Sequence, residues 1–273
     1  MERDEIIVNK KNLQSADLQF ANLHSANLQS ADLQSANLQF ANLQSANLQS
    51  ANLRSANLHS ANLHSADLQS ADLHSADLHS ANLQSANMRS ANLQFANLHS
   101  ANLQSANMRS ANLHSADLYS ANLQFANLRS ADLQFAVLYS ANLQSADLRS
   151  ADLQSVVLQS ANLQSANLQF ANLQSADLRS ADLHGTNISF AKFDDRYKIA
   201  RLDVCDWPVT IQEGNIKIGC KEFTPIEIKE MTEEKANEIY GKIAKIRWRR
   251  WGKTLQQLVV DTLDNSYETV EKC

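Results

Sequence analysis

A period of five residues, kept without a one-residue slip from about Lys11 to about Phe193, constrains this chain more than any other feature. The tract reads Ala16-Asp17-Leu18-Gln19-Phe20, Ala21-Asn22-Leu23-His24-Ser25, Ala26-Asn27-Leu28-Gln29-Ser30, and runs on for roughly 35 units of Ala–Asn/Asp–Leu–variable–Ser/Phe. On an α-helix, leucines five apart advance about 140° per repeat and leave no apolar stripe. On a flat strand, an odd period sends successive leucines to opposite faces. A chain that turns a corner at every repeat resolves the conflict, because each Leu and Ala then points to one central axis. Stacked coils of that kind pair their backbones at about 4.7–4.9 Å, each supplying what its neighbour's edge lacks.

Residue choice supports the array. Between Ala16 and Ser180 there is neither Gly nor Pro, the usual punctuation of globular turns. Asn or Asp fills the second place almost throughout, where its side chain can bond nearby backbone and tolerate turn geometry. Ala in the first place leaves room beside Leu in a narrow core. A buried Leu contributes about 1.5–3 kcal/mol, which offsets the ordering entropy only when many coils stack.

The motif Ala-(Asp/Asn)-Leu-X-X, as in Ala31-Asp32-Leu33-Gln34-Ser35, resembles the pentapeptide-repeat family over about two-thirds of the chain. That resemblance implies an all-β solenoid, a right-handed quadrilateral β-helix with four pentapeptides per coil and Leu and Ala inside. The tract then makes about nine coils, a rod roughly 40 Å long at one strand spacing per coil. The domain reading is an N-terminal cap over 1–10, the β-helix over 11–193, and a small α+β capping, dimerisation or partner-binding module over 194–273.

Taking four repeats per coil from the resemblance, residues twenty apart sit one above another. One outward column holds Arg89, Arg109, Arg129 and Arg149, after Gln29, Gln49 and Gln69. Another holds His59, His79 and His99, then Tyr119 and Tyr139. Phe20 aligns with Phe40 and Phe170 with Phe190, while Val137 and Val157 replace Asn/Asp in adjacent coils. The Arg stripe reads as a docking edge for an acidic partner or phosphates, set against simple duplication. The segments around Met88-Arg89 and Met108-Arg109 are near-identical and favour duplication for one step. Aligned His and Tyr are likewise expected of any repeat, and no metal site is assigned.

No catalytic constellation is visible. Ser, Asn and His recur everywhere, so any Ser/His/Asp proximity carries almost no information. A Gly-rich phosphate loop and a metalloprotease helix motif are both missing. The chain reads as a non-enzyme without cofactor.

The net charge of −5 is mild for 273 residues and argues against wholesale nucleic-acid binding. Cys205, Cys220 and Cys273 form no disulfide framework and no zinc-ligand spacing. Met1–Lys10 has no apolar signal core and no run approaches a membrane span, so a soluble, cytoplasmic protein is expected. Glu5-Ile6-Ile7-Val8 reads as a short strand covering the open first coil.

From Asp194 the composition becomes ordinary mixed sequence. Leu202–Cys205, Val209–Gln212 and Asn215–Gly219 read as strands, with a hairpin turn at Glu213-Gly214. The stretch Asp206-Trp207-Pro208-Val209-Thr210-Ile211 resembles a small module that follows repeats in some phage and bacterial chains. Thr224-Pro225 starts a helix, and a longer one is predicted from about Glu233 to about Leu263. Within it, Lys245–Lys253 places Trp248 and Trp251 among cations, a candidate contact set, although the tail's balanced charge favours both rings packing on its own core with the cations facing water. Relatives that dimerise through a helical C-terminal module make a homodimer the expectation.

Some members of the resembled family act as DNA mimics against type II topoisomerases. About 40 Å of duplex carries about 24 negative charges, whereas the tract offers 11 Asp, scattered over its faces, against 6 Arg. Asp132 and Asp152 stack, and no longer carboxylate column forms. The sequence therefore favours a rod-shaped scaffold or macromolecule-binding protein acting through protein–protein contacts. A DNA-mimic inhibitor of a topoisomerase or other DNA-processing protein, a phage counter-defence factor in that case, is the alternative.

Overall fold

The computed structural model of the chain describes residues 3–183, 186–188, 191–192, 209–212, 215–218, 221–223, 227–228, 230–240 and 256. From Asp17 to Lys192, parallel bridges join each second-place residue to the one twenty further on, as in Asp17↔Asn37, Asn97↔Asp117 and Asn172↔Lys192. One coil is therefore four pentapeptides, and the solenoid is four-sided.

A single unit shows why the sequence can repeat indefinitely. In Ala41-Asn42-Leu43-Gln44-Ser45, the Ala41 N–H closes a turn onto Leu38 O at 3.0 Å, and the Asn42 N–H reaches back one coil to Ala21 O at 2.9 Å. The Leu43 N–H donates forward to Asn62 O at 2.8 Å and the Ser45 N–H to His64 O at 2.9 Å. The fifth donor, Gln44 N–H, has no backbone acceptor and donates to Asn42 Oδ1 at 3.1 Å. All five amides are thus satisfied, which a solenoid without regular strands must achieve some other way. This is the reason for Asn or Asp in the second place.

The left-handed turn residue lies elsewhere. Every fifth-place residue from Ser15 to Ser180 has φ between 53 and 60°, phenylalanines included, while no second-place residue does. Positive φ at the third position of the turn alone is the type II pattern. Left-handed geometry costs a non-glycine residue about 1–2 kcal/mol, and here it is held by the inter-coil bond of the same residue's N–H. Alternation within each unit sends Ala and Leu inward. The leucines from Leu23 to Leu143 are 0% exposed, and so are Met88 and Met108 where they replace Leu.

The N-terminal segment corrects the strand expected over Glu5–Val8. Arg3–Val8 is an α-helix, α1, followed by a 3₁₀ turn over Lys10–Asn12. Asp4 and Glu5 sit in its first turn, where the helix dipole favours acids, and Ile6 is buried on the end of the core. Two groups of the exposed first coil are met without a strand. The Arg3 guanidinium donates to His24 O at 2.8 Å, and Lys10 O accepts the Asp32 N–H at 2.8 Å. Near the far end, Thr186 takes the place of an inward Ala, and its buried hydroxyl donates to Leu163 O at 2.7 Å.

Beyond the solenoid, β1 (Val209–Gln212), β2 (Asn215–Ile218) and β3 (Lys221–Phe223) form an antiparallel sheet in that order. The closing pair Gln212↔Asn215 leaves two residues for the hairpin, as anticipated, whereas β3 was not anticipated. Helix α2 (Glu233–Tyr240) occupies the beginning of the predicted long helix, with Thr232 Oγ1 accepting the Lys235 N–H at 3.3 Å as an N-cap does. The predicted strand Leu202–Cys205, the helix start at Thr224-Pro225, the three cysteines, Phe190, Trp248 and Trp251 lie outside the described residues.

Candidate functional site

Outward side chains fall into columns at one strand spacing. The variable fourth residue and the Ser/Phe fifth residue mark each corner, and the second residue lies between corners. The His/Tyr column is continuous. His59 and His79 stack at 4.9 Å and 3°, His79 and His99 lie 5.0 Å apart, and His99 and Tyr119 4.7 Å apart. Tyr119 and Tyr139 stack at 5.3 Å. Below them, Phe20 and Phe40 stack at 5.2 Å, and Phe40 meets His59 edge-on at 5.8 Å. Seven rings thus follow one another along a single corner.

A second aromatic line runs along the preceding corner: His74 to Phe95 at 5.6 Å, Phe95 to His114 at 6.1 Å, and His114 to Phe135 at 5.4 Å, all edge-on. Sequence reading missed this line, because its members alternate between fourth and fifth places and are not spaced by twenty. A two-column search at twenty-one and nineteen residues finds them. The face between the two lines is crossed in one coil by Phe135, Val137 and Tyr139, all outward, with Tyr119 one coil earlier and Val157 one coil later. Phe135 is 51% exposed, Tyr119 38% and Val137 36%.

The valines interrupt the hydrogen-bond pattern. Tyr119 N–H donates to Asp117 Oδ1 at 3.0 Å, and Gln144 N–H to Asn142 Oδ1 at 3.1 Å. Val137 and Val157, bridged to each other, offer no such oxygen to the amides of Tyr139 and Gln159. Apolar surface is gained here at the expense of two structural hydrogen bonds.

Arginine pairing follows a rule. A fourth-place Arg can meet a carboxylate two residues earlier in its own unit, or one eighteen residues later in the next coil. Arg149 Nε donates to Asp147 at 2.8 Å, and Arg179 Nε to Asp177 at 2.9 Å. Arg54 Nη1 meets Asp72 at 3.2 Å. The guanidinium beside each holds Asp147 and Asp177 below the ordinary carboxylate range. Arg89 and Arg109 have Asn at both places, and Arg129 has Asn127 before it and an Asp147 already engaged by Arg149. Three consecutive coils therefore present exposed arginines outside the ion pairs found among the described residues. Each neighbouring pair repels by about 1 kcal/mol or less in water, reduced further by salt.

The Arg column and the His/Tyr column do not make one site. Arg129 and Tyr139 are ten residues apart, half a coil, and so lie on opposite corners.

Ser–His contacts recur, with Ser25 Oγ 3.1 Å from His24 Nδ1 and Ser75 Oγ 3.0 Å from His74 Nδ1. They join sequence neighbours in successive turns and are products of the repeat. The stacked imidazoles place their nitrogens side by side, His59 Nδ1 lying 3.1 Å from His79 Nδ1. Among the described residues no group of His, Cys, Asp or Glu is arranged to hold a metal ion, and no helix is long and apolar enough to cross a membrane.

Four-sided coils, twenty-residue bridges and an Ala/Leu core define a pentapeptide β-solenoid. The chain belongs to the pentapeptide-repeat family: the family model for pentapeptide repeats matches residues 12–49, 36–74, 76–114, 116–154 and 161–195. Its solenoid is thus the right-handed quadrilateral β-helix of that family.

Solved structures to which the chain is similar include HetL from the cyanobacterium Nostoc sp. strain PCC 7120, a pentapeptide repeat protein involved in heterocyst differentiation regulation. It is 35% identical, with 71% of this chain and 98% of that one covered and a TM-score of 0.40. The pentapeptide repeat protein alr5209 of the same organism is 40% identical over 37% of this chain and 84% of its own, with a TM-score of 0.33. QnrB1, a plasmid-mediated fluoroquinolone resistance protein, is 16% identical over 66% of this chain and 92% of its own, with a TM-score of 0.46. No curated protein sequence matches the chain significantly.

Proposed function

We propose that the chain is a non-enzymatic binding rod that engages a protein partner through the face between its two aromatic lines, centred on Phe135, Val137, Tyr139 and Tyr119. The observation that carries this reading is the pair Val137–Val157. The unit's own hydrogen-bond logic calls for Asn or Asp there, and the exchange puts apolar surface beside Phe135 and Tyr139. Exposed clusters of aromatic and aliphatic side chains on an otherwise polar surface are the usual anchors of protein contacts.

Tyr119 and Tyr139 stack on each other at 5.3 Å and 9°, so they present edges outward. A partner is therefore met by edges and tyrosine hydroxyls, a geometry suited to protein side chains more than to flat ligands. The DNA-like alternative has less to stand on, since Asp132↔Asp152 is the one Asp–Asp bridge among the described residues.

The test restores the repeat. A variant carrying Val137→Asn, Val157→Asn, Phe135→Ser and Tyr139→Gln is compared with the natural chain in quantitative affinity capture from the source cells. The expected result is a partner retained by the natural chain and depleted about tenfold or more by the variant. Identical capture by both would overturn this assignment of the face.

A further inference from the structure

We propose that Arg89, Arg109 and Arg129 form a second and separate docking edge, which receives a short acidic segment of a protein partner. The strip lies on the corner opposite Tyr119 and Tyr139, so it does not rest on the reading above.

Its backbone is fixed while its guanidinium groups make no ion pair among the described residues, although Arg129 is near enough to add to the field that lowers Asp147. The Arg89, Arg109 and Arg129 amides donate to Asn87, Asn107 and Asn127 Oδ1 at 3.4, 3.3 and 3.2 Å. Their carbonyls accept from Ser70, Ser90 and Ser110 N–H at 2.9, 3.0 and 3.0 Å. The three guanidinium groups are exposed, and the solenoid's own pairing rule leaves each outside an ion pair. Because the backbone beneath them is already ordered at one strand spacing, only the side chains lose conformational freedom when carboxylates arrive. Arg forks suit them, each offering paired donors to a carboxylate.

Duplication alone does not account for the strip. It explains Met88-Arg89 and Met108-Arg109, which sit in near-identical units. The next coil differs in Phe125, Leu128, Asp132, Phe135 and Val137, yet keeps Arg at Arg129.

Length selects the partner. The same face carries Asp67 one coil before the strip and Asp147 one coil after Arg109's successor, so its cationic part spans three coils, about 10 Å at the strand spacing. A long polyanion laid along the rod would meet these carboxylates at both ends, on a chain whose net charge is already −5. Neutralising three phosphates gives a salt slope of only about −2.7, well short of a specific duplex binder. A few clustered Asp or Glu residues fit. Phe125, 54% exposed, opens the side of the coil that ends at Arg129 and offers an apolar contact that a peptide can use and a bare phosphate chain cannot.

The experiment titrates the full chain at about 50 mM salt with fluorescent peptides of about eight residues. One carries three consecutive Glu beside a Leu, and the other has Gln in place of Glu. Single-stranded and duplex oligonucleotides serve as competitors. The variant is Arg89→Gln, Arg109→Gln, Arg129→Gln, in which Gln matches Gln29, Gln49, Gln69 and Gln169 of the same column, so the coil is preserved. Circular dichroism confirms the fold.

The acidic peptide is expected to bind the natural chain and to lose about tenfold or more with the triple variant, while the Gln peptide binds neither. Asp147→Asn, which frees Arg149, is expected to tighten binding. No binding of the acidic peptide to the natural chain, equal binding to the triple variant, or displacement by oligonucleotide at lower concentration than by unlabelled acidic peptide would each overturn the proposal.

Discussion

Replacing Val137 and Val157 by asparagine is expected to stabilise the solenoid, although both valines lie on a structured face and neither leaves a cavity. Each new Asn places an Oδ1 where the Tyr139 or Gln159 amide can donate, as Asn142 does for Gln144 at 3.1 Å. Its Nδ2 can join the inter-coil ladder seen below, where Asn97 donates to Asp77 at 3.0 Å. Two partly exposed hydrogen bonds are worth about 0.5–1.5 kcal/mol each, against up to about 1 kcal/mol lost with a β-branched residue in a strand-like position. Over the two sites about 1–3 kcal/mol is gained against up to about 2 lost, so the expected net gain is about 1 kcal/mol, or about 2–4 °C in the melting temperature of a body this size. Because repeat arrays open locally as well as globally, the sharper assay is amide exchange. In the natural chain the Tyr139 amide should exchange faster than that of Tyr119, whose N–H donates to Asp117 Oδ1 at 3.0 Å. In the double variant the two should become similar. Unchanged Tyr139 exchange, or a lower melting temperature, would refute the account of why the second place is Asn or Asp.

The fifth place supplies another expectation: Ser100, with φ 55°, should tolerate Gly within about 0.5 kcal/mol but lose about 2 kcal/mol on conversion to Val, checked by denaturant melts. Asp177→Asn removes the partner of Arg179 and should lower the melting temperature at neutral pH. Since the folded carboxyl sits below its ordinary range, the gap between natural chain and variant is present above the unfolded value and closes as pH falls through the folded one; a gap that persists in strong acid would contradict this. Deleting residues 111–115 should leave β-helix circular dichroism intact while turning Arg129 a quarter coil away from Arg109, so acidic-peptide binding weakens. In a DNA-gyrase supercoiling assay, micromolar protein should have no effect; inhibition would bring back the DNA-mimic reading.

The period of five and the inward Ala and Leu were open to reading because they follow from counting, and the family resemblance then fixed twenty residues per coil. From that came the Phe20–Phe40 stack, the His/Tyr ladder and the Asp132–Asp152 neighbours. What counting could not supply was hydrogen-bond direction. The sequence offers Asn and Ser as equally plausible turn formers, and only the donor inventory of the unit shows that Asn42 serves an amide while Ser45 bears the positive φ. The N-terminal cap was misread for a related reason. Ile6 and Ile7 fit a strand or a helix equally well in so short a run, and the contact of Arg3 with His24 O that accompanies the helix is not visible in the sequence. The arginine column was visible as a column, but its division into paired and free members depends on which neighbour is Asp, as at Asp147, or Asn, as at Asn107.

The geometry of the coil also decides how the two proposed edges relate. Arg129 and Tyr139, ten residues apart in a twenty-residue coil, face away from each other across a file of leucines with no exposed surface, whereas Phe135 sits on the corner next to the arginines. Such a core has one packing, without a second arrangement that occupation of one edge might select, and coupling between sites requires a two-state element. Substitutions on the arginine edge and at Tyr119 or Tyr139 should therefore act additively, within about 0.3–0.5 kcal/mol. A rod with two independent, differently charged edges is able to hold an acidic segment on one side and an apolar one on the other at the same time. Its contribution is then the fixed distance and angle between them, which any whole-coil insertion leaves in register and any single-pentapeptide insertion between them turns by a quarter.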